Sequence, residues 1–168
     1  MASQAPQLHF VLFPLMAPGH LLPMTDLATI LAQHSNIVTV VTTPHNASRL
    51  SETFARASDS GLHLRLVQLQ FPSQDAGLPE GCENFDMLPS MGMGLSFFLA
   101  ANNFLLEPAE KVFEELTPKP NCIISDQKLV TSNLLESIAT DSEYFLIPDI
   151  PDKIEITKEH TPRPMHEN

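Results

Sequence analysis

The amino-acid sequence predicts an α/β domain with a parallel, right-handed wound sheet. A continuous apolar run over residues 9–13 has the length of a buried strand, and residues 14–19 contain two prolines and a glycine that force a turn. Residues 24–31 then carry apolar side chains at the i, i+3, i+4 and i+7 positions of a helix. Two more strand-like segments, 36–43 and 63–71, are separated by a helix-length segment, and this alternation is typical of parallel sheets.

The turn after the first strand contains His20, the first candidate functional residue. In an open α/β sheet, ligands bind beyond the carboxyl ends of the strands, where this turn lies. Pro23 suits the first turn of the following helix, and the partial positive charge of a helix N-terminus disfavours a protonated imidazole beside it. A neutral imidazole can act as a general base near pH 7. A histidine that is only solvated or hydrogen-bonded is the alternative.

The middle of the chain combines a long loop with a long helical segment. Residues 72–89 are irregular, and loops of this length in small domains are often functional. Residues 90–116 are helical in pattern, and we expect Pro108 to kink or split the helix. Its predicted apolar stripe is Leu95, Phe98, Leu99, Asn102, Leu105, Leu106, Ala109, Val112, Phe113 and Leu116. We expect its phenylalanines to be core residues, with lining of an apolar pocket as the alternative.

A short strand over residues 121–126 ends in a carboxylate, Asp126. Its carboxyl end is expected to face the same crevice as His20, because parallel strands end at the same edge of a sheet. A catalytic histidine needs a partner that holds its tautomer and stabilises the imidazolium, and Asp126 is the candidate. A capping or solvated aspartate is the alternative.

Composition narrows the class of function. The net charge of −11 argues against nucleic-acid binding and against association with an acidic membrane. Two cysteines are too few for a disulfide framework or a zinc site, so we expect no bound metal. No basic region precedes the first apolar run, and the most apolar window, 87–106, has polar interruptions and helical spacing, which favour a buried helix over a membrane span. We therefore expect a cytoplasmic protein with no stable membrane insertion.

Several blocks of the chain resemble the plant family 1 UDP-glycosyltransferases, especially those that glucosylate flavonoids, terpenoids and hormones. The blocks are His9–Pro14 with Pro18–Pro23, Val41–Asn46, Phe71–Pro72 with Gly77–Gly81, Cys122–Asp126, and Phe145–Pro148 with Pro151–Glu155. The resemblance implies the N-terminal, acceptor-binding, Rossmann-like domain of a GT-B fold, over residues 9–157. It also implies an inverting transfer of glucose from UDP-glucose to a hydroxyl of a small apolar metabolite, with His20 as the base and Asp126 as the residue that orients it.

The same resemblance suggests which residues border the acceptor. They are His20, Leu15, Met16 and Gly19 at the turn, and Glu83 and Asn84 in the long loop. It implies no cofactor, since the UDP-sugar is a co-substrate whose main site lies in the family's C-terminal domain. We find no such domain in this sequence, which has no tryptophan for that domain's signature box.

After Asp126 the expected helix and strand of the sheet do not follow, so we predict an internal deletion near residues 127–133 and an incomplete fold. We also expect a flexible N-terminus over residues 1–8 and a disordered tail over residues 158–168. A chain without the donor site should have little activity alone, because positioning both substrates supplies much of the rate. Whether the chain is an enzyme is thus left open.

Two other functions are compatible with the sequence. The chain could be a non-catalytic module that binds an apolar acceptor or associates with a full-length relative, since a missing domain would expose an apolar face. It could also be an unrelated nucleotide-binding α/β domain. Neither a glycine-rich phosphate fingerprint nor a P-loop follows the first strand, which argues against this last function.

Overall fold

The computed structural model describes residues 7–126, and within that range four strands form one sheet with apolar clusters on both faces. The strands are β1 (His9–Phe13), β2 (Ile37–Thr42), β3 (Leu64–Gln68) and β4 (Cys122–Ser125). The α-helices are α1 (Pro18–Gln33), α2 (Pro44–Asp59), α3 (Gly94–Leu99) and α4 (Leu106–Glu115). Short 3-10 turns at Phe85–Met87 and Met91–Met93 precede α3, and a π-helical turn, Ala100–Phe104, follows it.

The direction in which successive strands are added to the sheet reverses at β1. The sheet has the order β3-β2-β1-β4, and all neighbouring strands are parallel. β2 and β3 extend the sheet to one side of β1, whereas β4 lies on the other side, where Phe13 pairs with Ser125. Ligand crevices of such sheets lie outside the carboxyl ends of the strands at this kind of reversal. The predicted parallel α/β sheet is confirmed, and so is the position of β3 near an edge.

Alternate residues of β1 contribute to two different cores, as the period of a strand requires. Phe10 and Leu12 pack on one face with residues of β2 and α1. Val11 and Phe13 pack on the other face with the long loop, α3 and α4. All five residues of β1 are buried, which agrees with a central strand covered on both sides.

α1 begins earlier than the sequence pattern suggests. Pro18 occupies the first turn, and the backbone amides of His20 and Leu21 both donate to the Ala17 carbonyl, at 3.0 and 2.9 Å. Pro23 was expected in the first turn, but it lies inside the helix, which continues through it to Gln33. Pro18 is the better first-turn proline because the amides at a helix start need no helical acceptor. His20 therefore lies on the first turn of α1 and not in the loop before it.

The predicted split of the helical segment 90–116 is confirmed, although the predicted apolar stripe is partly wrong. The break lies at Ala100–Phe104, and Pro108 lies in the first turn of α4, where a missing amide is tolerated. Leu95 is 73% exposed and Phe98 is 39% exposed, whereas Phe97 is fully buried. Apolar residues occur on nearly every side of this segment, so their spacing could not identify the face that packs on the sheet.

Some predictions concern residues outside the described range. The internal deletion near 127–133, the segment up to residue 157, the tail at 158–168 and residues 1–6 all lie there. Of the predicted N-terminal segment, Gln7 and Leu8 are described, and the Leu8 carbonyl accepts a hydrogen bond from the Ile37 amide at 2.8 Å. Among residues 7–126, no helix has both the length and the apolar character needed to cross a membrane.

Candidate functional site

His20 and Asp126 are brought together at the carboxyl ends of β1 and β4. His20 is on the first turn of α1, and Asp126 directly follows the last residue of β4. The His20 Nδ1 atom lies 2.7 Å from the Asp126 Oδ2 atom. The His20 side chain is 48% exposed and that of Asp126 is 28% exposed. The two residues therefore form a partly exposed hydrogen-bonded pair at the carboxyl ends of β1 and β4, as the sequence predicted.

Asp126 is held in place by more than the histidine. Its Oδ1 atom accepts a hydrogen bond from the Leu15 amide at 2.6 Å, in the segment between β1 and α1. The preceding residue, Ser125, donates its hydroxyl to the Phe13 carbonyl at 3.0 Å. The two carboxylate oxygens thus have different donors, and both donors belong to the chain segment that follows β1. This arrangement fixes the carboxylate against the segment that leads to His20.

The geometry defines the chemistry available to the imidazole. A carboxylate accepts hydrogen bonds, so His20 Nδ1 is the protonated nitrogen when the ring is neutral, and Nε2 carries the lone pair. The carboxylate also stabilises the imidazolium that forms when Nε2 takes up a proton. Because about half of the His20 side chain is exposed, an external hydroxyl can reach it. The pair has the geometry of a general base and its orienting carboxylate.

The other predicted site residues differ in exposure. Leu15 and Met16 are buried, and Gly19 is exposed, with no atoms within 4 Å of the position that a Cβ would occupy. Glu83 is half-buried and accepts a hydrogen bond from the His45 amide at 2.8 Å, whereas Asn84 is fully buried. Contact of these residues with an acceptor stays a prediction. The burial of Met16 and Asn84 favours a supporting position over direct contact.

Several residues that the sequence pattern does not mark connect the long loop to the site. The Phe85 amide donates to the Met16 carbonyl at 2.7 Å. Asn46, in the first turn of α2, donates through Nδ2 to Thr43 Oγ1 at 2.8 Å and to the Glu83 carbonyl at 3.1 Å. An asparagine that follows a strand and a proline is a common helix-start residue, so its pattern gave no signal of a longer-range contact.

A cluster of aromatic rings runs from the core to the surface beside this loop. Phe97 stacks on Phe71 with ring centroids 5.2 Å apart and contacts Phe85 edge-on at 5.7 Å. Phe85 also contacts Phe98 at 5.4 Å. Three further apolar side chains of the same segment are largely exposed: Met91, Leu95 and Leu99. Within residues 7–126, no group of three or more His, Cys, Asp or Glu side chains is arranged to hold a metal ion.

Sequence comparison relates nearly the whole chain to plant glycosyltransferases. No protein-family model matches the chain. UDP-glycosyltransferase 73C1 of Arabidopsis thaliana is 44% identical to it over 195 aligned positions, which include 96% of this chain and 40% of the relative. The chain therefore spans about two fifths of the length of the curated relatives that it matches.

Solved structures agree with the sequence comparison. UGT89C1 of Arabidopsis thaliana, complexed with UDP-L-rhamnose, is 28% identical with a TM-score of 0.61, over 72% of this chain and 31% of that one. The same protein complexed with quercetin is 27% identical with a TM-score of 0.62, over 71% of this chain and 29% of that one. By sequence and by fold, the chain is similar to plant UDP-glycosyltransferases, proteins of the GT-B fold, and corresponds to a part of their length.

Proposed function

We propose that this chain is the acceptor-binding part of a UDP-sugar-dependent glycosyltransferase, with His20 as the general base. The observation that carries the proposal is the 2.7 Å contact between His20 Nδ1 and Asp126 Oδ2. It leaves Nε2 as the basic nitrogen, at the strand reversal where ligands of such sheets bind. The similarity to UDP-glycosyltransferases over 96% of the chain supports the reaction class.

In the proposed reaction, His20 Nε2 takes the proton from a hydroxyl of the acceptor. The acceptor oxygen forms a bond to the anomeric carbon of the sugar, and the bond from that carbon to the UDP oxygen breaks. UDP leaves with the electron pair of that bond, and the configuration at the anomeric carbon is inverted. Asp126 balances the charge of the imidazolium and keeps the ring in the required orientation.

The acceptor and the sugar are proposed by similarity. UGT89C1 has been solved with quercetin, a flavonol, and an apolar hydroxylated metabolite of this kind suits the partly exposed rings of Phe85 and Phe98. We propose glucose as the sugar, with rhamnose as the alternative that the UDP-L-rhamnose complex of UGT89C1 suggests. Leu15, Gly19 and Glu83 are proposed to border the acceptor. We place the protein in the cytoplasm.

We further propose that the chain lacks an internal segment and has little activity by itself. The alignment with 73C1 spans 195 positions, more than the 168 residues of this chain, so the relative has residues within the aligned region that this chain lacks. We place the gap after Asp126, where the expected continuation of the sheet is missing from the sequence. By the resemblance, the UDP-sugar is held mainly by the second domain of such enzymes, so we expect slow but detectable UDP release from this chain alone.

The second candidate function is a non-catalytic module that binds an apolar acceptor or associates with a full-length relative. The side chains of Met91, Leu95 and Leu99 favour it, because they are large apolar groups that are exposed to solvent. This function needs neither the base nor the donor.

Thermal unfolding of the purified chain tests whether it binds an acceptor. We would measure the melting temperature alone, with quercetin, with UDP-glucose and with UDP-L-rhamnose, because a ligand that binds only the native state raises it. At one hundred times its dissociation constant, a ligand should raise the melting temperature by about 5 to 10 °C. We expect a shift with quercetin and none with either nucleotide sugar.

A parallel assay of UDP release tests whether the chain catalyses transfer. Acceptor-dependent UDP release that His20→Ala abolishes, with the quercetin shift retained, would support catalysis by His20. A quercetin shift in both proteins without any UDP release would support the binding module. A shift with a nucleotide sugar would contradict the expectation that this chain alone does not bind the donor. Absence of any ligand-dependent shift or UDP release would refute the proposed function.

A further inference from the structure

A second polar cluster, separate from the His20–Asp126 pair, lies between the start of α2 and the long loop. Asn46 Nδ2 donates to Thr43 Oγ1 at 2.8 Å and to the Glu83 carbonyl at 3.1 Å. Asn84 Nδ2 donates in turn to Asn46 Oδ1. The Thr43, Asn46 and Asn84 side chains are all fully buried. Buried amides are stable only when they are hydrogen-bonded, so this cluster joins the two elements in one arrangement.

The same stretch of loop makes two further hydrogen bonds that fix its conformation. Glu83 Oε2 accepts from the His45 amide at 2.8 Å, and Asn84 Oδ1 accepts from the Asp86 amide at 3.2 Å. The His45 amide belongs to the first turn of α2, where backbone donors have no partner within the helix. A carboxylate is favourable there because the helix N-terminus carries a partial positive charge. Glu83 therefore caps α2 from the loop.

The next residue of the loop contacts the segment that leads to His20. The Phe85 amide donates to the Met16 carbonyl at 2.7 Å, and Met16 is fully buried. The Leu15 amide, one residue earlier, donates to Asp126 Oδ1 at 2.6 Å. Two consecutive residues of this segment are thus held from two sides, by the long loop and by the carboxylate of the site. Leu15 and Met16 lie three and two residues before Pro18, the first residue of α1.

We infer that Asn46, Asn84 and Glu83 are positioning residues for the His20–Asp126 pair, acting through the Phe85–Met16 hydrogen bond. None of the three needs to touch an acceptor for this role. The importance of this positioning role for the reaction rests on the proposed function, whereas the positioning itself can be measured without any reaction. Loss of either amide should release the loop, weaken the Phe85–Met16 hydrogen bond and loosen the Leu15–Asp126 contact.

The test uses the full chain labelled with ¹⁵N, in the wild type and in Asn46→Ala, Asn84→Ala, Glu83→Ala and Glu83→Gln. Ile37→Ala is the matched control, because Ile37 is buried at the opposite end of the sheet and its truncation destabilises the fold without touching the cluster. The first readout is amide exchange at Leu15 relative to Asn121, whose amide bonds to the His9 carbonyl of β1. The ratio separates local loosening from global unfolding.

The second readout is the pair of ¹⁵N shifts of the His20 ring at pH 8, which report which nitrogen carries the proton. We expect both asparagine variants and Glu83→Ala to speed Leu15 exchange about tenfold relative to Asn121, and to lower the fraction of rings protonated at Nδ1. Glu83→Gln keeps an oxygen that can accept from the His45 amide, so it should behave as the wild type. Ile37→Ala should leave the ratio and the ring shifts unchanged.

The inference would be overturned if the asparagine variants keep the wild-type ratio and ring shifts, or if Ile37→Ala changes them equally. Should both asparagine variants fail to fold, the comparison of Glu83→Ala with Glu83→Gln decides, and identical behaviour of those two overturns it. Failure of the proposed function is distinguished from failure of the positioning role by the ligand-binding and UDP-release measurements. Expected NMR changes without ligand binding or UDP release would refute the enzymatic role and uphold the positioning role.

Discussion

Asp126 and His20 lie 106 residues apart in the sequence and 2.7 Å apart in the fold. The contact exists because β4, which precedes Asp126, pairs with β1 and not with β3. It forms at the one position in the described sheet where the direction of strand addition reverses. The architecture thus places the carboxylate beside the helix that follows β1, and Asp126 Oδ1 bonds to the same connection through Leu15.

Asp126→Asn should change the tautomer of His20. An asparagine has one acceptor oxygen, and if the Leu15 amide keeps it, the asparagine NH₂ group faces His20 Nδ1. That nitrogen must then accept, which moves the ring proton to Nε2. We expect the fraction of rings protonated at Nδ1 to fall about tenfold, measured by ¹⁵N shifts at pH 8.

Asp75→Asn is the control for this change, because Asp75 is an exposed carboxylate in the long loop. It should leave the His20 ring as in the wild type. A wild-type tautomer in Asp126→Asn would disprove the orienting role of the carboxylate.

His9 should make the stability of the fold depend on pH. Its side chain is fully buried, with Nδ1 donating to the Pro118 carbonyl at 2.7 Å and Nε2 accepting from the Thr39 hydroxyl at 2.9 Å. Burial lowers the pKa of His9 from its ordinary value of 6.5, helped by the charge of Arg65 and opposed by the bond to Pro118. The unfolded chain therefore binds more protons than the native chain at mildly acidic pH.

The contribution of His9 should be complete well above pH 6.5 and should be lost as the pH falls through 6.5 toward the lowered native pKa. For one proton the slope cannot exceed about 1.4 kcal/mol per pH unit. Urea unfolding between pH 5 and pH 8 measures it. His9→Gln should flatten this part of the curve whatever its effect on stability at pH 8, and an unchanged slope in His9→Gln would rule out His9 as the source.

Phe97 and Phe98 should differ sharply in their contribution to stability. Phe97 is fully buried and contacts Phe71, Phe85 and Phe98, whereas Phe98 is 39% exposed. Phe97→Ala should lower the free energy of unfolding by about 3–5 kcal/mol, because it removes a buried ring and leaves a cavity. Phe98→Ala should cost clearly less. Denaturant unfolding of both variants tests this, and equal losses would contradict the register of α3 described above.

Cys122 should be unreactive in the native chain. Burial raises its pKa to about 11, so at pH 8 only about one thiol in a thousand is the reactive thiolate. Burial and the nearby Asp86 also raise the pKa of Cys82. In Cys82→Ala, Ellman's reagent at pH 8 should react slowly with the native protein and fast after denaturation. Rapid labelling of the native protein would show that β4 opens readily.

Local sequence was enough to predict the strands and most helices. The apolar run of β1, the β-branched run of β2 and the carboxylate that ends the last described strand follow from residue types and their period alone. His20 and Asp126 could be proposed because each follows a predicted strand. The face of α3 could not be predicted, because Leu95, Phe97 and Phe98 are all apolar and only packing on the sheet distinguishes them.

Only the tertiary structure decided which side of β1 receives β4, because strand order depends on pairing between segments more than one hundred residues apart. That pairing creates the His20–Asp126 contact. The Asn46–Asn84 contact likewise joins residues 38 positions apart, and single asparagines in a helix start and a loop carry no pattern that marks them as partners. Periodicity specifies which faces of an element are buried, whereas the contacts between elements are set by the packing of the whole fold.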